Sequence, residues 1–266
     1  MVAAADAGAM GIGPRTKKRL RPPSRLLTFA EPRALLELGL GLASVPLLLR
    51  APRGDGHPVV ALPGFLAADG STHMLRRYLD RMGYETHGWG LGRNIGSMMT
   101  RRHRLYEEVA ALHKKTGRKV SLVGWSLGGI YARDVALEMP EAVRYVISLG
   151  SPFANDVRAT HAGKLYEKLG GESVDDIAES DLIRIQSDLP MPATAIFTRT
   201  DGVVNWKTCV LRESDKAENI EVLGSHCGLG VNPAVLWAVA DRLAQKEGAF
   251  KAFDRKGPFR LGYPRR

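Results

Sequence analysis

From residue 57 onward, short apolar runs alternate regularly with longer helical stretches, and this rhythm leaves few folds open. The runs are apolar along nearly their whole length, which is typical of parallel strands covered by helices on both faces. Strands and helices in alternation connect as right-handed units that build a parallel sheet. The sequence therefore predicts the α/β class, with a mostly parallel sheet of about six strands and helices on both faces.

The expected elements can be placed by their apolar period. Six runs are expected to form strands: Pro58–Leu62, Glu85–Trp89, Lys119–Gly124, Arg144–Leu149, Ala193–Thr198 and Ile220–Leu223. Four stretches are expected to form helices: Thr72–Met82, Ile95–Lys115, Leu127–Glu138 and Pro233–Lys246. The connection of about 40 residues over 151–192 is too long for a simple crossover, so a small helical cap is expected there.

The chain ends differ from this body in composition. Residues 1–53 form a basic extension, in which 1–25 lack an apolar period and predict a disordered leader. Residues Pro32 to Leu49 predict an amphipathic helix broken at Pro46. This helix could cover one edge of the domain, form a dimer contact or lie on a membrane surface, and we favour the first. Residues 54–250 form the predicted domain, and 251–266 a basic C-terminal tail.

The formal net charge of +10 is located almost entirely in these ends. Residues 1–53 carry nine Lys/Arg against three acidic residues, 251–266 carry six against one, and the body has a net charge of −1. A nucleic-acid site would need basic residues gathered on a folded face, so no nucleic-acid partner is predicted.

No membrane-spanning or export segment is predicted. The apolar run Ala34 to Leu49 is 16 residues, shorter than the roughly 20 that span a bilayer, and it follows a long charged stretch. A cytoplasmic location is therefore expected, with at most a weak membrane-surface contact through the N-terminal extension.

The motif GWSLGG at residues 124–129 lies between an expected strand and an expected helix. Glycines two residues before and after Ser126 allow the sharp turn and the close backbone approach that expose a serine hydroxyl at a helix N-terminus. In this setting the pattern predicts that Ser126 is a nucleophile. A serine hydroxyl needs a base within hydrogen-bond reach and an acceptor that orients the base.

Both partners should follow Ser126, with the acid before the histidine, in loops after later strands. Among the seven histidines, His226 has this position, since it follows the last expected strand and precedes the last expected helix. Asp201 directly follows the run Ala193 to Thr200, which begins with the expected strand, although Asp-Gly is also an ordinary turn dipeptide. The sequence therefore predicts Asp201 and His226 as the acid and the general base.

Backbone N–H groups should stabilise the negative charge that develops on an attacked carbonyl. Leu127, the residue after the nucleophile, is expected to supply one donor. The second is expected from the loop after the first strand, in which Phe65 is the candidate. An ordinary Pro-Gly turn at Pro63-Gly64 is the alternative interpretation of that loop.

Taken together, the stretches LPGF, GWSLGG, TRTDGVV and GSHCGLGVNP resemble bacterial α/β-hydrolases of the esterase and lipase type over residues 57–246. The resemblance implies an α/β-hydrolase fold, a Ser126–Asp201–His226 triad and an oxyanion hole from Phe65 and Leu127. It also implies hydrolysis of carboxylic esters, as an esterase or a lipase, through an acyl-enzyme. Many such enzymes have His-Gly where this chain has Pro63-Gly64.

Two other functions fit the same residues. An acyltransferase would use the same triad with an alcohol, amine or thiol in place of water, and a ligand-binding protein could retain the fold without catalysis. The expected partner is a small-molecule ester with an apolar acyl chain, and the oligomeric state is left open. No zinc-ligand spacing and no dinucleotide motif after a strand is present, so no cofactor and no metal are predicted.

Two cysteines complete the candidate residues. Cys209 follows Asp201 by eight residues and Cys227 adjoins His226, so the fold would bring their loops near one another. The sequence is compatible with a disulfide between these loops and with a pair of free thiols. The nearness of the loops favours the disulfide, whereas a cytosolic disulfide would be uncommon.

Overall fold

The computed structural model describes residues 20–96, 98–154, 160 and 179–264. Their centre is a sheet of six parallel strands in the order β2-β1-β3-β4-β5-β6. The strands are β1 Pro58–Leu62, β2 Glu85–Gly88, β3 Val120–Trp125, β4 Val143–Leu149, β5 Ala193–Phe197 and β6 Ala217–Glu221. The predicted α/β class and sheet are confirmed. Only β6 shifts noticeably, beginning at Ala217 instead of Ile220, because the polar start of this edge strand carries no apolar signal.

Helices cover both faces of the sheet, as the apolar strands predict. In chain order they are α1 Arg25–Phe29, α2 Ala34–Ala43, α3 Val45–Leu48, α4 His73–Arg81, α5 Met98–Thr116, α6 Leu127–Glu138, α7 Glu179–Gln186 and α8 Pro233–Leu243. Side chains of α3, α4 and α8 share one core cluster, and those of α5, α6 and α7 share the other. Strand β1 shows the division, since Val59 and Ala61 belong to the first cluster and Val60 and Leu62 to the second.

The order of the strands creates a crevice at one end of the sheet. After β1 the chain passes to β2 on one side, and β3 then pairs with β1 on the other side. The loops that follow β1 and β3 therefore diverge at the carboxyl ends of these strands. In open parallel sheets such a switch point is where ligand sites form.

The predicted helix over Pro32 to Leu49 is divided into a 3₁₀ turn at Glu31–Arg33, then α2 and α3, and the break falls at Ser44. This segment lies against the loops that follow β5 and β6, where Arg33 Nη2 donates to Thr200 O and Gly224 O. No helix in the described ranges is long and apolar enough to cross a membrane. The predicted disordered leader lies outside the described residues for positions 1–19.

The basic C-terminal segment contacts the domain through its aromatic residues, while Lys251, Lys256 and Arg260 are exposed. Tyr263 is buried and its hydroxyl donates to Ala234 O at 2.7 Å. The ring of Phe253 lies against that of Tyr263, and Phe253 N donates to Glu218 Oε2. The ring of Phe259 also lies against that of Trp237, so three aromatic side chains hold this basic segment on the domain.

The predicted cap over 151–192 is described only at residues 151–154, 160 and 179–192, and the rest lies outside the described residues. Its described helix, α7, packs beside α6. Asp134 of α6 is buried and accepts from Arg102 of α5, at 3.1 Å, and from Arg184 of α7. This carboxylate therefore links three helices on one face of the sheet.

We expect Asp134→Ala to lower the free energy of unfolding by about 3–5 kcal/mol, because it leaves two guanidinium groups without their buried counter-charge. Glu138→Gln is the matched control: Glu138 is exposed and pairs with the same Arg184, so its loss should cost less than about 1 kcal/mol. Urea unfolding followed by circular dichroism measures both. Equal effects of the two variants would contradict the role given to Asp134.

Candidate active site

Ser126 lies at a strained turn between β3 and α6. Its backbone has φ 53° and ψ −121°, and among the described non-glycine residues only Leu66 and Ser126 have a positive φ. Such a conformation is unfavourable for a residue with a Cβ and persists only where surrounding structure imposes it. The N–H of Ser126 donates to Leu149 O of β4 at 2.8 Å, which fixes the turn to the sheet. The serine therefore stands at the crevice at the start of α6.

The two glycines that flank Ser126 are required by close backbone contacts. A Cβ at Gly128 would lie 2.3 Å from Leu62 O, and a Cβ at Gly124 would lie 2.4 Å from the backbone N of Gly129. No side chain fits at these distances. The glycine spacing in the sequence therefore has a direct steric cause: α6 starts almost in contact with the ends of β1 and β3.

Asp201 and His226 are hydrogen-bonded to each other. His226 Nδ1 and Asp201 Oδ2 are 2.6 Å apart, and both side chains are buried. The other carboxylate oxygen, Asp201 Oδ1, accepts from the N–H groups of Val203 and Val204 at 2.8 and 2.7 Å. The carboxylate is thus fixed by its own loop, and it holds the imidazole with Nδ1 protonated and Nε2 available as a base.

The imidazole loop is joined to the serine turn by Trp125. The indole Nε1 donates to His226 O at 3.1 Å, so the residue before Ser126 contacts the backbone of His226 directly. Gly150, which follows β4, lies against the Asp201–His226 pair, since a Cβ at this position would be 3.1 Å from His226 Nδ1 and 3.4 Å from Asp201 Oδ2. Within the described part of the chain no hydrogen bond joins Ser126 Oγ to His226. Such contacts are often long in free enzymes and tighten when substrate binds.

The surroundings of His226 set its basicity. Burial alone lowers the pKa of His226, but the charge and hydrogen bond of Asp201, together with the charge of Glu31, outweigh burial and raise it above its ordinary value. A raised pKa makes the neutral imidazole a stronger base. It also means that the imidazole is protonated at a higher pH than a free histidine.

Glu31 is a buried residue of this site that sequence reasoning missed. Its Oε1 accepts from Gly202 N at 2.7 Å and from His226 N at 3.1 Å, and its Oε2 accepts from Cys227 N at 2.8 Å. Burial raises the pKa of Glu31, but these backbone hydrogen bonds outweigh it and lower the pKa, so the carboxylate stays ionised. One side chain from the N-terminal segment therefore joins the acid loop to the imidazole loop.

Glu37, which sequence reasoning also missed, hydrogen-bonds Ser225, the residue before His226. Its Oε1 accepts from the N–H and the hydroxyl of Ser225 at 2.7 and 2.6 Å, and its Oε2 accepts from Asn232 Nδ2 at 2.8 Å. A glutamate within a leucine-rich stretch was the only sequence signal for either residue. That signal does not say which loop, nearly 200 positions later, the carboxylate meets.

The two candidate oxyanion donors lie on opposite sides of the crevice. Leu127 is the first residue of α6, and Phe65 follows Gly64, whose Cβ position would be 3.2 Å from Ser126 Cβ. The loop of Phe65 is fixed by Asn94, a buried side chain whose Nδ2 donates to Pro63 O at 2.9 Å. The loop after β1 is therefore anchored beside the serine, and the donor roles of Phe65 and Leu127 remain predictions.

A second Ser–His–Asp arrangement lies at the other end of the sheet and provides a comparison. His57 Nδ1 is 2.6 Å from Asp55 Oδ1, and His57 Nε2 is 2.8 Å from Ser121 Oγ. Burial, with the charge of Arg144 opposing that of Asp55, lowers the pKa of His57 to about 4. Ser121 is fully buried inside β3 and cannot meet a substrate. The strained turn and position of Ser126, not the triad of residue types, distinguish the candidate site.

The two cysteines, for which the sequence left a disulfide open, are not bridged in the structure. Both cysteines are free thiols, with Cys209 buried and Cys227 exposed, so the structure has no disulfide between these loops. In the described ranges no group of three or more metal-ligating side chains converges.

Comparison with known proteins gives the fold a name. Lipase B of Aspergillus fumigatus is 17% identical and superposes with a TM-score of 0.56, covering 72% of this chain and 53% of that chain. The chain thus spans about half the length of that lipase. An α/β superfamily hydrolase of Oenococcus oeni is 14% identical with a TM-score of 0.51, over 71% of this chain and 91% of the other.

The chain has the α/β-hydrolase fold. Lipase BlEst2 of Bacillus licheniformis is a further similar structure, 17% identical with a TM-score of 0.50, over 74% of this chain and 95% of the other. No protein-family model and no curated protein matches the sequence. The α/β-hydrolase fold is therefore established by structure, at sequence identities too low to transfer an activity.

We expect Glu31→Gln to lower the pKa of His226, because a negative charge that favours the imidazolium is removed. Glu37→Gln is the matched control, since its carboxylate bonds Ser225 and Asn232 instead of His226 and should leave this pKa unchanged. The measurement is an NMR titration of the imidazole resonances, with His226 assigned by its absence in His226→Gln. An unchanged pKa in Glu31→Gln would show that Glu31 does not act on the imidazole.

Proposed function

We propose that this protein is a serine hydrolase that cleaves carboxylic esters, with Ser126 as nucleophile, His226 as general base and Asp201 as the residue that orients His226. The observation that carries the proposal is the positive φ of Ser126 at a strand-to-helix turn that Trp125 ties to His226. Strain of this kind is kept where it exposes a reactive group. A buried Asp–His pair beside it supplies the base that a neutral hydroxyl requires.

In the first half of the proposed reaction, Ser126 Oγ attacks the ester carbonyl carbon while its proton passes to His226 Nε2. The carbonyl oxygen becomes an oxyanion, which accepts hydrogen bonds from the N–H groups of Leu127 and Phe65. His226 then gives the proton to the departing alcohol. The carbon–oxygen bond to the alcohol breaks and leaves an acyl group on Ser126.

In the second half, water replaces the alcohol. His226 Nε2 takes a proton from water, the hydroxide attacks the acyl carbon, and the released Ser126 oxygen recovers the proton. Asp201 accepts the hydrogen bond from His226 Nδ1 and stabilises the imidazolium that forms in each half. No further group is needed to balance either step.

The substrate is proposed to be an ester with an apolar acyl group, and solved lipase structures of the same fold support this choice. Fold alone does not determine an activity, so the acyl specificity has to be measured. A series of p-nitrophenyl esters of increasing chain length gives the preference. Product analysis with added alcohol and thiol acceptors distinguishes hydrolysis, which releases free acid, from acyl transfer.

We expect Ser126→Ala to lower ester hydrolysis by at least about 10⁴-fold, because no other nucleophile is available at the turn. Ser121→Ala is the matched control: it removes a hydroxyl hydrogen-bonded to a histidine away from the crevice, and should cost about 1–3 kcal/mol of stability but leave the rate within a few-fold. A fluorophosphonate should label the parent protein and Ser121→Ala, not Ser126→Ala. Full activity in Ser126→Ala would end the proposal.

The pH dependence follows from the raised pKa of His226. Only the neutral imidazole can accept the serine proton, so kcat/KM should fall as pH decreases through that pKa, with a midpoint above 6.5. Asp201→Asn removes the largest raising interaction and should move the midpoint to lower pH as well as reduce the rate. The check is a pH profile with a neutral ester. A Ser126-dependent profile with its acid midpoint below 6.5 is the contrary result.

A further inference from the structure

The N-terminal segment presents a large apolar face to solvent. Six large hydrophobic side chains between residues 26 and 42 are each 58–81% exposed: Leu26, Phe29, Leu35, Leu36, Leu40 and Leu42. Soluble proteins rarely expose so many large apolar groups together, and a patch of this kind marks an interaction surface. These six side chains are referred to below as the leucine face.

The inner side of the same segment is polar, which fixes its orientation. Glu31 and Glu37 are buried against the loops of Asp201 and His226, and Thr28 Oγ1 donates to Gly202 O at 2.7 Å. Rotating α2 to bury its leucines would expose these carboxylates and leave the backbone N–H groups they bind without acceptors. The leucine face therefore points outward because the carboxylates must point inward.

The exposed charges of the N-terminal segment all have one sign. In residues 20–53 the two acidic side chains, Glu31 and Glu37, are buried, so every exposed charged side chain is an arginine. The exposed arginines are Arg21, Arg25, Arg50 and Arg53. Residues 1–19 add four basic residues and one acidic residue to the same end of the chain. The described part of this segment thus combines exposed apolar side chains with exposed positive charges.

We propose that the leucine face binds the surface of an anionic lipid bilayer. Apolar side chains that enter the headgroup boundary, with arginines beside them, match a negatively charged interface in both respects. A second copy of this chain fits less well, because a symmetric dimer through this face would bring the same arginines together. The proposed contact is a peripheral one, made by side chains at the bilayer surface.

The test is sedimentation of the full chain with phosphatidylcholine vesicles that contain or lack phosphatidylglycerol. We expect the parent chain to bind the anionic vesicles, and we expect this binding to weaken as salt rises. The affinity should fall at least about 100-fold in Leu35→Gln/Leu36→Gln/Leu40→Gln, since each leucine contributes roughly tenfold or more on leaving water. Arg21→Gln/Arg25→Gln should weaken binding several-fold. The proposal is independent of catalysis, so Ser126→Ala should bind like the parent.

Ile183→Gln/Leu261→Gln is the matched control, because both side chains are large, apolar and exposed but lie outside the leucine face. It should bind like the parent. Sedimentation equilibrium measures the oligomeric state of each variant, and thermal unfolding measures its stability. The proposal is overturned if the anionic vesicles do not bind, if the triple variant binds unchanged, or if the triple variant instead dissociates a dimer or loses much of its thermal stability. The last two outcomes would mean that protein already covers the face.

Discussion

The loops that follow β5 and β6 contain buried backbone N–H groups with no neighbouring strand to accept their hydrogen bonds. Unpaired buried donors are costly, so a loop of this kind needs acceptors from elsewhere in the chain. Glu31 accepts from three such donors and Glu37 from Ser225, and both come from one short N-terminal segment. The positions of Asp201 and His226 thus depend on residues that are remote in sequence and take no part in the proposed chemistry.

The same contacts explain why the N-terminal segment folds with its leucines outward. A surface helix usually buries its apolar stripe, and most of its stability comes from that burial. In α2 the buried residues are Glu37 and Gly41, and Gly41 lies so close to Val231 O that a Cβ would be 2.3 Å from it. Charge-assisted hydrogen bonds and close backbone packing, instead of hydrophobic burial, therefore determine how α2 is oriented on the domain.

Local sequence was sufficient for the sheet and for the turn at Ser126, because both are encoded by neighbouring residues. Apolar runs predicted the strands, and the glycines at 124 and 128 predicted a backbone contact that the structure contains. Asp201 and His226 could be paired from chain order in the expected fold, and their hydrogen bond is present. The roles of Glu31 and Glu37 were not predictable, since their contacts cross 171 to 196 positions and a single buried glutamate has no local signature. The contacts of the C-terminal segment were missed because its basic residues outnumber the three aromatic rings that anchor it.

The two Ser–His–Asp arrangements in this chain show why residue types alone do not define a reactive site. Burial of the His57 ring lowers its pKa to about 4, so the imidazole stays neutral. Its two nitrogens then serve as fixed hydrogen-bonding groups between β1 and β3. Around His226, two carboxylates outweigh burial and raise the pKa, which stabilises the protonated ring that proton transfer must create. Asp201 raises the pKa of His226 most and Glu31 adds to that effect, whereas the charges of Arg144 and Arg118 lower the pKa of His57. Because Glu31 belongs to the segment that carries the leucine face, the basicity of His226 and the outer surface of the protein depend on the same few N-terminal residues. Any contact that shifts this segment would therefore alter the electrostatic field at the imidazole.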